Sequence, residues 1–188
     1  MTKQKQLKSK ICLVGDKSVG KTSLIRRYTI NMFDEEYLTT IGTHVTKKEA
    51  RILLPEYDLL LDLDMTIWDI MGQKGFRELL KEAYFYGAKG IIAVCDVTRK
   101  STLDDLDDWI EGVYSVTGKI PIEFLGNKVD LKDQGQITED DMVQAARAYD
   151  SPFHFTSAKT GVSVETAFQS LAERVAKERY ARKIVPEE

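Results

Sequence analysis

Cysteine is scarce: Cys12 and Cys95 are the only two in 188 residues. Each sits in an aliphatic run, "KICLVG" and "GIIAVCDV", and no secretory signal precedes them. That pattern speaks against a disulfide between them, and both thiols are expected as reduced core residues. No apolar stretch approaches membrane-spanning length. Charge of one sign is not in excess either: 27 basic against 30 acidic residues give a net charge of −3, so no global field draws the chain to nucleic acid. Residue 2 is threonine, which excludes N-myristoylation, and the final "KIVPEE" has no prenylation cysteine, so no intrinsic lipid anchor is expected. Repeats, low-complexity segments and interdomain linkers are lacking. What is present is an ordinary mixture, 43% hydrophobic and 30% charged, of the kind that folds as one globular domain. A monomer in the cytoplasm is expected, peripheral to a membrane only through partners or through the basic run "MTKQKQLKSK".

Short apolar runs alternate with helical stretches. "ICLVG" reads as a buried strand, followed by a helix over about Lys21 to Ile30. "VTKKEARILL" and "LLLDLDMTIWD" read as two strands joined through "PEYD"; in the second, Leu61, Leu63, Met65 and Ile67 share one face. A helix is expected within "GFRELLKEAYF", then a buried parallel strand in "GIIAVCDV". Ser101, with Asp104 three residues on, is the expected cap of a helix carrying Leu103, Leu106, Ile110 and Val113 on one stripe. Asp104, Asp105 and Asp108 fall off that stripe and read as a solvated acidic face rather than a metal cluster. A strand in "IPIEFLGNKVD", a helix capped by Thr138, a strand in "PFHFTSAKTG" and a last helix with Val164, Ala167, Phe168, Leu171 and Val175 on its core face complete the pattern. The expectation is an α/β fold: a six-stranded, mostly parallel sheet with helices on both faces. Residues 1–9 are expected as a basic tail, 10–180 as the domain and 181–188 as a C-terminal tail.

The first strand runs into "GDKSVGKT", Gly15 to Thr22, which opens the first helix. Strand, glycine-rich turn, then Lys-Thr at a helix start is a phosphate-binding loop in its proper context. Backbone N–H groups of Gly15, Asp16, Lys17, Ser18, Val19, Gly20, Lys21, Thr22 and Ser23 would surround phosphate oxygens, helped by the field of the helix N-terminus. Lys21 would meet the β- and γ-phosphates, and the Thr22 hydroxyl would bind Mg²⁺. This motif implies a nucleoside triphosphate without saying which.

The base is addressed by "NKVD", Asn127 to Asp130, at the end of an apolar strand. Asn127-Lys128-x-Asp130 resembles the guanine-reading motif of small GTPases. A carboxylate accepts from guanine N1–H and the 2-amino group, whereas adenine would leave it without donors. "SAK", Ser157, Ala158 and Lys159, is similar to the second base-binding loop of that family, where the Ala158 N–H would meet the guanine carbonyl. "FDEEYLTTIG" resembles the first switch of the Ras superfamily, nearest the Rab-type "TTIG": Phe33 against the base, Tyr37 over the phosphates, Thr40 completing the Mg²⁺ shell in the GTP state. "WDIMGQ" resembles the second switch: Asp69 holding Mg²⁺ through water, the Gly72 N–H on the γ-phosphate, Gln73 orienting the attacking water.

The resemblance covers roughly Lys10 to Lys177. It implies the P-loop NTPase fold of small G proteins and a GTPase switch, with Gln73 and Lys21 as catalytic residues and GTP or GDP with Mg²⁺ as ligands. An exchange factor, an activating protein and effectors are the implied partners. The chain departs from the pattern at Ile70-Met71, at His44 and in a longer hairpin through "LLPEYDLLLDLD". A weakly hydrolysing GTP-bound scaffold is the second reading, against which the intact Gln73 speaks; a small-molecule kinase would need a substrate site and lid that do not appear. Trp68 reads as an exposed partner contact or as an aromatic covered by the switches. Lys17 stands where such loops commonly carry Gly or Ser. It reads as a solvated cation, an obstacle to a partner's arginine, or an ammonium acting in cis on the transition state.

Overall fold

A computed structural model describes residues 3–34, 40, 42–72 and 81–184. In chain order the elements are β1 (Lys3–Val14), α1 (Lys21–Ile30), β2 (Thr43–Leu54), β3 (Leu59–Ile70), β4 (Ala88–Asp96), α2 (Ser101–Asp104), α3 (Leu106–Thr117), β5 (Ile122–Asn127), α4 (Glu139–Arg147), β6 (Phe153–Thr156) and α5 (Val164–Ile184). The strands form one six-stranded sheet in the order β2-β3-β1-β4-β5-β6. Only β2 and β3 are antiparallel; the remaining pairings are parallel, as expected of strands joined by helical crossovers. The mostly parallel α/β sheet read from the strand–helix alternation is therefore the observed one.

Each face of the sheet has its own core. On one face α1 and α5 pack Leu24, Ile25, Phe168, Leu171 and Val175 against Ile11, Leu13, Leu61 and Leu63, with Tyr28 and Phe168 stacked at 4.1 Å between ring centres. On the other, α3 and α4 bring Trp109, Ile110, Val113 and Met142 onto Cys12, Ile91, Ala93 and Phe124. Burying a side chain of this size contributes about 1.5–3 kcal/mol, so the two layers dominate stability. Cys12 and Cys95 are both free and buried, and burial pushes each thiol up to about 12.

Residues 3–9 are not a tail. β1 begins at Lys3, and Lys3 to Lys8 pair with Leu59 to Asp64 of β3. Leu7, 7% exposed, belongs to the α5-side core, while Gln4 and Gln6 donate to Asp62 at 2.7 Å and Asp64 at 3.0 Å on the opposite face. The long hairpin provides the edge that this polar segment extends. Its tip, Pro55–Tyr57 followed by Asp58 in the left-handed region, rests on α5 through an edge-on Tyr57–Tyr180 contact at 4.9 Å. Ser101 is not a cap either. Lys100 takes the N-cap position in helical conformation, and Thr102 supplies the local bonds, accepting from the Asp96 N–H at 2.9 Å and donating to the Arg99 carbonyl at 2.7 Å. Thr138 does cap α4, in a reciprocal capping box with Asp141.

Candidate functional site

A cleft of about 680 Å³ opens where the loops after β1, β5 and β6 meet the ends of β2 and β3. Its phosphate end is built by Gly15 to Ser23. Gly15 has φ 134° and a side chain there would lie 2.2 Å from the Val94 carbonyl oxygen; Gly20 has φ 101° and would meet the Asn127 amide at 2.3 Å. Glycine is required at both, for backbone conformation and for close approach. Ser18 also sits in the left-handed region, which turns the loop between them.

Lys21 lies over the loop, 6% exposed, donating to the carbonyls of Gly15 at 2.7 Å and Asp16 at 2.8 Å. Burial lowers its ammonium to about 8, against the opposing charges of Asp69 and Asp16. One residue on, the Thr22 hydroxyl donates to Asp69 Oδ2 and lies 2.9 Å from the Thr40 hydroxyl. Asp69 is 2% exposed, and its Oδ1 has no hydrogen-bond partner among the described residues. Burial pushes this carboxyl above the usual range; the Thr22 bond and the nearby Lys21 and His44 charges offset only part of that. A buried carboxylate oxygen without a donor, beside two hydroxyls, fits a hard divalent cation such as Mg²⁺, which takes oxygen ligands.

At the base end, Asn127 is a joint. Its amide donates to the Val19 carbonyl at 2.9 Å, and its oxygen accepts from the Thr156 hydroxyl and the Ala158 N–H, each at 3.2 Å. The phosphate loop and the "SAK" loop are thus tied through one buried side chain. Lys128, at φ 72°, donates to Asp96 Oδ2 at 2.6 Å. Burial works against the charge of Asp96, but bonds from Lys128 and Thr98 outweigh it and hold the carboxyl below the usual range. Arg99 joins the same carboxylate at 3.1 Å and reaches the Lys17 carbonyl at 3.0 Å. Asp130 is exposed at the cleft, its Oδ1 accepting from the Ser157 hydroxyl at 2.5 Å.

The residues singled out in the sequence divide into two groups by position. Lys17, Ser18, Gly20, Lys21, Thr22, Ser23, Phe33, Thr40, Gly72, Asn127, Lys128, Asp130, Ala158 and Lys159 line the cleft; Gly15, Asp16, Val19, Asp69 and Ser157 do not line it. Gly72 lies against the phosphate loop, where a side chain would come 2.5 Å from the Lys17 N–H nitrogen. The Lys17 side chain is exposed and makes no polar contact among the described residues. Trp68 is half-buried rather than exposed, packed on the α3-side core with the Lys10 ammonium 3.6 Å from its ring centre. Tyr37 and Gln73 lie outside the described residues. Arg27, Asp96 and Arg99 were missed. Asp96 left a signal, a carboxylate closing the apolar run "GIIAVC"; Arg99 pairs with it three residues on, while the bonds of Arg27 and Arg99 to backbone carbonyls leave no pattern in sequence.

A model of the Ras family matches residues 10–177. That span runs from within β1 to within α5 and takes in the phosphate loop, the cleft residues of both switches and both base-end loops. The chain belongs to the Ras family, a family of small GTPases.

Proposed function

We propose that the protein is a GTP/GDP-controlled switch that binds guanine nucleotide with Mg²⁺ and hydrolyses GTP to GDP and phosphate. One observation carries this reading: a single cleft runs from Lys21 and Thr22, the latter bonded to buried Asp69, to the exposed carboxylate of Asp130, with Asn127 linking the two ends. Lys21 binds the β- and γ-phosphates; Thr22, Thr40 and Asp69 hold the cation; Asp130 reads the base, and the Ala158 N–H serves the guanine carbonyl. Mg²⁺, when bound, supplies charge neutralisation between the phosphates. Gln73 is assigned the orientation of the attacking water from its place in "WDIMGQ". Thr40 and Gly72 engage the γ-phosphate, so its loss frees both loops and changes which partner binds. Exchange factors, activating proteins and effectors are the proposed partners, and the cytoplasm the proposed site of action. Single-turnover phosphate release should occur with GTP and not with ATP. Release from ATP at an equal rate would overturn the guanine assignment, and GTP binding without release would favour the scaffold.

Lys17 is assigned here to solvent, because its side chain is exposed and unanchored. Lys17→Gly and Lys17→Met should keep the intrinsic single-turnover rate within about twofold. A tenfold slowing in both, equivalent to about 1.4 kcal/mol, would instead put the ammonium on the transition state.

Trp68 is proposed as part of the effector surface, since its ring carries Lys10 and continues toward exposed Val45, its register partner on β2. Trp68→Ala should weaken capture of a GTP-dependent partner at least tenfold, in the range of aromatic hot spots, while leaving GTP affinity unchanged. Loss of cooperative unfolding would show instead that the ring serves the core.

A further inference from the structure

α1 has functional groups at both ends. It begins at Lys21 and Thr22 in the phosphate site, and its last turn carries Arg27. The guanidinium of Arg27 crosses to the base end of the cleft: Nε donates to the Ala158 carbonyl at 2.8 Å and Nη2 to the Lys159 carbonyl at 2.6 Å. Its remaining arm is occupied as well. Asn31 ends α1 in the left-handed region at φ 53°, which turns its side chain back, and Arg27 Nη1 donates to Asn31 Oδ1 at 3.0 Å. A planar fork held at three points in this way has little freedom left, in contrast to a lysine at the same place.

We infer that Arg27 is the positioning residue for base selection: it sets the Ala158–Lys159 backbone at a fixed distance from the phosphate loop and so fixes the N–H that reads the 6-oxo group of the purine. The inference rests on the guanine reading above. The loop's other anchors gather at Ser157 and the Ala158 nitrogen: the Ser157 N–H donates to the Val162 carbonyl at 3.1 Å and its carbonyl accepts from the Gly161 N–H at 2.8 Å. Ala158 donates to Asn127 at 3.2 Å, and Ser157 bonds Asp130 and receives the Thr160 N–H. Those contacts place Ser157 and the Ala158 nitrogen from the sheet side. Arg27 holds the carbonyls of Ala158 and Lys159 from the helix side. Without it the two carbonyls lose their anchor, the backbone can turn about Ala158, and the Ala158 N–H, on the preceding peptide, loses the direction a base carbonyl needs. A stability role would weaken every nucleotide alike; a positioning role weakens those with a 6-oxo group.

The test uses the full chain and three diphosphates: GDP, inosine diphosphate, which keeps the 6-oxo group but lacks the 2-amino group, and 2,6-diaminopurine riboside diphosphate, which has an amine at position 6. Wild type establishes whether guanine is preferred at all, and failure there sinks the guanine reading rather than the role of Arg27. Arg27→Ala should weaken GDP and inosine diphosphate by the same factor, about tenfold for a lost directional hydrogen bond, and leave the diaminopurine compound near its wild-type affinity. Arg27→Lys should recover part of that loss. Asn31→Gly, which removes the side chain orienting the fork and keeps the left-handed turn, should move the same ratio in the same direction by a smaller factor and serves where Arg27→Ala does not fold. Equal loss for all three nucleotides in the folded variants, or no loss for any, would overturn the inference.

Discussion

Asp130→Asn should turn a GDP-binding protein into one that prefers xanthosine diphosphate. The carboxylate offers two acceptors to guanine N1–H and the 2-amino group; the amide offers one acceptor and one donor. Xanthine carries a 2-oxo group that takes the donor, whereas guanine sets its 2-amino group against it. The neighbour decides the orientation of the amide. Ser157 Oγ donates to Oδ1 of residue 130 at 2.5 Å, and that bond persists only if the amide oxygen stays where Oδ1 now is. The new N–H₂ group is then turned to the position of Oδ2. Two lost or mismatched pairings at about 1–3 kcal/mol each correspond to a change in relative affinity of about a hundredfold or more. Competition between the two diphosphates for the variant measures it. The double variant Asp130→Asn, Ser157→Ala should show a smaller xanthine preference, because the amide is then free to flip. An unchanged GDP preference in Asp130→Asn would remove Asp130 from the base site.

How far such a site could be read in advance differs from residue to residue, for physical reasons. The phosphate loop was legible because its constraints are local. Glycines at 15 and 20, followed by Lys-Thr, admit one backbone path after a strand, and the structure places Gly15 and Gly20 at φ 134° and 101°. The bounds of α1 were legible too, since Gly20 and Asn31 both take left-handed conformations at its ends. The first half of β1 was not. Leu7 is its one apolar residue there, and the segment is held by Asp62 and Asp64, which belong to another strand. Strand alternation placed Trp68 on the right face but could not show the Lys10 ammonium above it. Ser101 and Thr102 are equivalent as capping residues in sequence. The path by which the chain leaves β4 gave Thr102 the Asp96 N–H. Arg27 could not be read, because a backbone carbonyl is present at every residue and identifies no partner; Arg99 shows only its three-residue spacing from Asp96, while its bond to the Lys17 carbonyl leaves no trace.

Asp69 yields the prediction with the opposite signs. Its carboxyl is 2% exposed, its Oδ1 has no donor among the described residues, and burial raises its affinity for a proton. A carboxyl raised in the folded state favours folding less as pH climbs from the ordinary carboxylate range through the raised value, because the unfolded chain ionises first. Without a divalent cation, therefore, ionised Asp69 costs stability at neutral pH. A cation at Thr22 and Asp69, joined by Thr40 only when the γ-phosphate is present, removes that cost and adds its own binding free energy. For GDP-loaded protein, Mg²⁺ at a hundredfold excess over its dissociation constant should contribute about 2.7 kcal/mol relative to EDTA. For a chain of this length that is an increase of roughly 5–10 °C in melting temperature. The increase should shrink as pH falls toward the carboxylate range, where proton and cation compete for the same oxygens. Asp69→Asn keeps an oxygen for the Thr22 hydroxyl and removes the charge. In EDTA it should melt at or above the wild-type temperature, and Mg²⁺ should no longer raise it. Thermal melts of both proteins, with and without EDTA, measure all of these shifts. An Asp69→Asn protein that keeps the full Mg²⁺ increase would place the cation elsewhere, and one that melts well below wild type in EDTA would show that the buried charge was stabilising after all.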